Sequence, residues 1–408
     1  MANRDEGLWE VCLLSFLLVS SYLPVSLEFG FANLTPRDLV VVIIGLVLVW
    51  RFFFGGGEIS GYEFLRVPAL WSVLGLTIYG AFQIPFAESK VRVLIEILQL
   101  SEVLLLGLLL WGKWGKEITE RDISIVLNIF FWFSLLGALN SAIYATMTGN
   151  QFVGSASVWF AFGSISYGFF YSLYRALLTE KRWYFVPLGI FFWAIIISEH
   201  RGLWMTLILA SLVMFFTYSI LRKRLIIFGV VILSFLLIVG YFGIIPNSVT
   251  NHFDSIISGR VFQDVRFYRW ASYGLMFIDN PFGVGLGNAR YNIRNFAVFE
   301  PSKIGVPASK LNSSGPPGGS IIGAHSDWFA LLGETGVVGV ILYGIFWGVI
   351  LKEIVFASKN CSIQFLTVGS FLLVIFGSSF VALKLLVGQG VTMVMMYYFL
   401  TKLRELEG

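Results

Sequence analysis

Between Asn247 and Asp327 lies the one long polar break in a chain that otherwise alternates apolar runs with short polar gaps. A helix needs about 20 apolar residues to cross the hydrocarbon layer. Roughly twelve runs approach that length, at 8–27, 38–54, 67–86, 91–111, 122–147, 153–178, 184–198, 203–221, 225–246, 329–350, 363–383 and 386–401. Only 13% of the residues are charged, about half the share in a soluble domain. Such a chain cannot cover its own surface with polar groups in water. The expected fold class is therefore an all-α polytopic membrane protein with about 12 transmembrane helices and one long extracytoplasmic loop carrying short helices. The segments divide as 1–246 (helices 1–9), 247–327 (loop) and 328–408 (helices 10–12). The first run, from Leu8, lacks a sizeable basic n-region and a small-residue cleavage site, and reads as a retained span.

Orientation follows from lysine and arginine in the short gaps. One alternating set of gaps holds sixteen, including Arg51, Lys113, Arg175, Arg222 and Lys352; the other holds five, Arg37, Lys90, Arg92, Arg201 and Lys384. The first set is expected to be cytoplasmic, with both termini inside and 247–327 outside. The net charge of +4 is small and spread in clusters between apolar runs, which suits membrane topology and not nucleic-acid binding. Cys12 and Cys361 both lie outside the long loop, so no disulfide staples it.

Within the loop, Val261–Phe277 carries a partly amphipathic helical pattern suited to the membrane interface. The run Gly283-Val-Gly-Leu-Gly287 neither follows a strand nor opens a βαβ unit, so it reads as a tight turn and not a dinucleotide fingerprint. Ser313-Ser-Gly-Pro-Pro-Gly-Gly-Ser320 has the composition of a hinge or lid. There is no P-loop, zinc-type His/Cys cluster or Asp-x-Asp pair, so no metal or other cofactor is expected.

His200, His252 and His325 all fall on the outer side. Arg201 occupies a gap of a few residues, Ser198-Glu-His-Arg-Gly202, where a charge at the membrane mouth needs a partner; the plain alternative is an interfacial arginine paired with Glu199. Arg266 and Arg269 read singly as a solvated face or headgroup contacts. A lone histidine at a helix start, as His325 is, is more often structural than catalytic. Trp328 reads as an interfacial anchor, and Gly333, Gly336 and Gly339 around Glu334 suggest close helix packing. Arg92 and Glu96 lie four apart on one face of a span, either a buried structural pair or a functional one.

Taken together, three stretches resemble the O-antigen ligase and O-antigen polymerase superfamily. Ala324-His-Ser-Asp-Trp-Phe-Ala-Leu-Leu-Gly-Glu-Thr-Gly-Val-Val-Gly339 is similar to its histidine and Glu-x-Gly-x-x-Gly element, with Ser326 where the family usually has Asn. Arg266-x-x-x-Trp270 followed by Asn280-Pro-x-Gly-x-Gly-x-Gly287 resembles its large-loop motif, with Arg260 as a rival for the loop arginine. His200-Arg-Gly-Leu-Trp204 resembles its third element. The resemblance implies a GT-C-like bacterial inner-membrane glycosyltransferase, metal-independent and inverting. Its donor would be a polyprenyl-diphosphate-linked glycan, its acceptor another glycan or a lipid core, and its surroundings membrane lipids. His325, Arg266 and Arg201 would be catalytic. Arg260, Arg269, Asp327, Glu334 and His200 would bind substrate. Ligase and polymerase activities share these motifs. A lipid-linked sugar transporter would instead show matched halves with broken helices, and a non-catalytic scaffold would leave the three motifs unexplained.

Overall fold

The computed structural model describes residues 6–22, 27–29, 32–34, 67–112, 118–148, 161–179, 181–197, 201–241, 265–289, 326–356, 361–380 and 385–407, with single positions 45, 115 and 292. In chain order these form α1 (Glu6–Ser20), a hairpin of β1 (Leu27–Phe29) and β2 (Ala32–Leu34), α2 (Pro68–Gln83), α3 (Lys90–Trp111) and α4 (Glu120–Thr148). Then come α5 (Ser166–Leu178), α6 (Phe185–Ile197), α7 (Arg201–Thr217), α8 (Ser219–Tyr241), α9 (Val265–Asp279), α10 (Asp327–Val355), α11 (Ile363–Ser378) and α12 (Leu385–Glu407). The described residues are helical as expected, apart from this small hairpin, in register Leu27↔Leu34 and Phe29↔Ala32; strands of three residues are too short for periodicity to reveal.

Local chemistry sets the helix starts. Pro68 opens α2 after an extended Val67, the place where a missing N–H costs nothing. Thr119 and Asp122 cap α4 reciprocally: the Thr119 N–H and hydroxyl donate to Asp122 Oδ2 at 2.9 and 2.7 Å, and the Asp122 N–H donates back to the Thr119 hydroxyl at 3.3 Å. Ser362 caps α11 by accepting from Phe365 N at 3.2 Å.

Four helices are long and apolar enough to cross a membrane among the described residues: Pro68–Phe86, Lys90–Trp111, Glu120–Ile143 and Asp327–Val355. Shorter apolar helices accompany them at Val11–Ser20, Arg182–Ile196, Gly202–Thr217 and Ile363–Ser378. The expected span 38–54 lies outside the described residues apart from Gly45. Exposed apolar side chains run in helical stripes: Ile125, Ile129, Trp132 and Leu136 on α4, and Val337, Ile341 and Ile345 on α10. Water would not tolerate such stripes on so many elements; a bilayer does. The opposite faces bury an aromatic core in which Phe130, Phe131, Tyr167, Tyr171, Phe191 and Phe371 touch edge and face. This is an integral membrane protein.

The basic triplet Arg222-Lys223-Arg224 was expected in a gap but lies inside α8, which begins at Ser219. The junction is that short because Arg222 donates to the Phe215 and Phe216 carbonyls at 3.2 and 2.9 Å, satisfying the open end of α7. Tyr218 at the same junction donates to the Ile354 carbonyl at 2.5 Å, tying it to the C-terminal end of α10. Arg224 reaches the Leu177 carbonyl, and Arg404 pairs with Glu353. Lys352, Glu353, Lys402 and Glu405 line one cleft there with Trp111 and Tyr398. Arg222, Arg224, Lys352, Lys402 and Arg404 therefore gather at this end of the bundle. The glycine turn and the N-terminal end of α10 occupy the other.

Candidate active site

The interfacial helix expected over 261–277 is α9, described from Val265 to Asp279. It buries Tyr273 and Met276 and turns Ile278 outward. Gly333 of α10 faces that buried side: a Cβ there would come within 2.2 Å of the Met276 methyl and 2.7 Å of the Tyr273 ring. Trp270 stacks on Phe329 with centroids 5.2 Å apart and planes 7° apart. α9 thus lies along the first half of α10.

The chain then makes the tight turn that the glycine run announces. Gly283, Gly285 and Gly287 all have positive φ, at 82°, 105° and 74°. Residues 281–285 splice into the hydrogen-bond ladder of α10. In an unbroken helix the Val337 N–H would donate to the Gly333 carbonyl. Here α10 breaks at Gly336, with φ 64° and ψ −154°. The Gly333 and Glu334 carbonyls accept from Val284 N and Gly285 N at 3.1 and 2.9 Å, and the Val337 N–H donates to the Pro281 carbonyl at 3.1 Å. The Gly333 and Glu334 carbonyls and the Val337 N–H thus find partners in the turn, as a low-dielectric setting requires. Only glycine permits the approach. A Cβ on Gly336 would sit 2.0 Å from the Pro281 carbonyl oxygen, and one on Gly283 would sit 2.3 Å from that of Glu334.

The α2–α3 hairpin holds the turn from the other side. Tyr79 and Gln83 donate to the Phe282 carbonyl at 2.7 and 2.9 Å, and Gln83 also donates to that of Glu334 at 3.1 Å. Asn288 accepts from Ser89 N at 2.7 Å and donates to the Ser89 carbonyl at 3.3 Å. Beneath Gly287 lies the Arg92–Glu96 pair, 2.6 Å apart, with Glu96 buried and Arg92 partly exposed. A Cβ on Gly287 would meet both side chains at 2.9 Å. The i,i+4 pair is thus a buried floor under the glycine turn.

The start of α10 is anchored to the end of α11. Asp327 N and the Ser326 hydroxyl both donate to the Ser379 carbonyl, at 2.8 and 3.3 Å. Trp328 Nε1 donates to the Ser379 hydroxyl at 2.9 Å. The Trp328 ring packs on Phe380 and Tyr343 at 5.3 and 4.9 Å, so it is held inside the protein more than it anchors to lipid headgroups. Tyr343 donates to Asp327 Oδ2 at 3.1 Å, and the Asp327 and Glu334 side chains are both buried.

The same end of α11 meets the start of α7. A Cβ on Gly377 would fall 2.9 Å from the Thr206 methyl, and Trp204 Nε1 donates back to the Ile195 carbonyl across the short gap at 2.9 Å. Three helix starts therefore come together. α7, which opens at Arg201, and α10 share the end of α11, and α9 lies along α10. Arg266 and Arg269 belong to the first turns of α9, before Trp270. The side chains of Arg201, Arg266 and Arg269 are outside the description. His200, Arg260 and His325 lie outside the described residues altogether, as does the segment 313–320; His325 directly precedes Ser326. Gln83, Asn288 and Ser379 carry no motif and were not foreseen. The only signal for Gln83 is an amide in an otherwise apolar helix.

Residues 186–344 match a family model described as O-antigen ligase. That stretch runs from the start of α6 past the break in α10, and so contains Arg201, Arg266, His325 and the glycine turn, but not α2 or α3. A search of curated proteins finds no match. Over residues 186–344, this integral membrane protein is similar to the O-antigen ligase family.

Proposed function

We propose that the protein transfers an oligo- or polysaccharide as a block from a polyprenyl-diphosphate carrier to an acceptor hydroxyl, in the manner of an O-antigen ligase. The observation that carries this reading is the meeting of the α7, α9 and α10 starts at one end of the bundle, within the stretch that matches the family. His325 takes the proton of the acceptor hydroxyl as its oxygen attacks the anomeric carbon. The bond from that carbon to the carrier diphosphate breaks, and configuration inverts. Arg201 and Arg266 bind the departing diphosphate through forked, permanently charged donors, a role that needs no metal ion. Arg269, Arg260 and His200 contribute to binding the donor. Asp327 and Glu334 are buried, so in this reading they act by holding α10 and not by presenting a charge to open solvent.

The reading places the protein in the bacterial cytoplasmic membrane with about twelve spans, both termini cytoplasmic and the site outward. The gathering of Arg222, Arg224, Lys352, Lys402 and Arg404 at the opposite end supports that orientation. A polymerase of the same superfamily is the second reading. Cells lacking a ligase accumulate long glycan on the carrier lipid; cells lacking a polymerase accumulate single repeats.

Purified protein incubated with a polyprenyl-diphosphate oligosaccharide and candidate acceptors tests the chemistry. His325→Ala, correctly inserted, should transfer glycan at least about 100-fold more slowly, the usual cost of a lost general base. Transfer at the wild-type rate would sink the mechanism.

A further inference from the structure

The residue that touches both sides of the joint between the turn and α10 comes from neither. Gln83 ends α2, far from the matched stretch in sequence, and is buried. Its single side-chain nitrogen donates to the Phe282 carbonyl of the turn at 2.9 Å and to the Glu334 carbonyl of α10 at 3.1 Å. Both neighbours are acceptors, so chemistry dictates which end of the amide faces them. The two N–H bonds of one amide have fixed directions, and so they set the separation of the two carbonyls. The other end of the side chain tells the same story. Gln83 Oε1 is buried with no hydrogen-bond partner among the described residues. Methionine would fill the space without that penalty. An amide kept there at the cost of an orphaned acceptor is kept for its donor.

We propose that Gln83 is a positioning residue for transfer, an inference that rests on the function proposed above. It clasps the turn that follows α9, with Arg266 and Arg269, to the helix that follows His325. It thereby sets the distance between the arginine side and the histidine side of the site. Tyr79 ties only the turn, through Phe282, and cannot replace it.

Purified variants are assayed with carrier-lipid glycan extracted from cells lacking the protein, and kcat, KM and Tm are measured together. Gln83→Met removes the donor and keeps the volume. Gln83→Glu keeps the shape; burial favours its neutral carboxyl, which donates one bond. In Gln83→Met, kcat should fall about tenfold or more, in line with the cost of misplacing reacting groups. Gln83→Glu should fall less. KM should stay within about twofold of wild type, and the two variants should share one Tm. Tyr79→Phe should keep near-wild-type kcat. Unchanged kcat in Gln83→Met overturns the proposal, as does equal kcat in the two Gln83 variants or a loss that only tracks the amount of folded protein. If Gln83→Met does not fold, Gln83→Glu with wild-type kcat overturns it and reduced kcat at wild-type KM supports it. Transfer absent from the wild type itself overturns the function proposed above, and this with it.

Discussion

The two ends of the helical bundle are joined by different chemistry. At the site end, side-chain bonds from Tyr79 and Gln83 add to a joint in which the turn 281–285 and α10 meet backbone to backbone, with glycine at each close approach. At the basic end, side chains reach carbonyls: Tyr218 to Ile354, Tyr398 to Gly115, Arg222 to Phe215 and Phe216. A backbone joint is stiff and has no graded substitutes, because any Cβ collides. A side-chain joint loses one bond at a time. The end where transfer is proposed is built to hold one geometry, and the basic end is built to tolerate change.

Four substitutions test that contrast. Gly336→Ala should be the most damaging, combining a positive φ with a clash against the Pro281 carbonyl. A loss of about 3 kcal/mol or more is expected, within the range for clashes and strained backbone, together with loss of transfer. A Gly336→Ala protein that melts and works like wild type would break the distinction. Arg92→Ala comes next. It leaves the buried Glu96 carboxylate without its 2.6 Å partner beneath Gly287. About 3 kcal/mol is the usual cost of breaking a buried pair by removing one partner, and thermal unfolding in detergent should read it. Glu96→Gln, which strands no carboxylate, should be milder; the reverse order would assign the strain to Arg92. Tyr218→Phe should be the smallest. Removing the hydroxyl from the Ile354 carbonyl costs about 1 kcal/mol, and transfer should be unaffected. A large loss of activity here would mean that the two ends are coupled.

Much of the outer framework is readable from residues alone. Pro68, the Thr119/Asp122 pair and Ser362 announce helix starts, and the α4 and α10 stripes announce lipid-facing sides. The glycine run is readable as a turn, and Arg92–Glu96 as a pair. What the turn docks on is not readable. Its partners are main-chain carbonyls, which every residue has, and Gly336 looks like a packing glycine until its φ is known. The Ser379 anchor hides for a similar reason: one serine supplies a carbonyl and a hydroxyl to three residues over 50 positions away. Contacts through α11 and α10 bring the described parts of the three motifs, 201–204, 265–287 and 326–339, to one end of the bundle. The sequence shows only their order, while α11 and the splice show how their helices meet.

The splice also bears on how the protein is assembled. Before the turn arrives, a straight α10 can bond Val337 N–H to the Gly333 carbonyl and offer no bare peptide to lipid. Docking trades that bond for those to Pro281, Val284 and Gly285. The exchange leaves the Val337 N–H and the Gly333 carbonyl paired at either end of the process, so a polar loop can be fastened to a membrane helix after the helix is already in the bilayer. The joint can then be completed late, by a swap of partners.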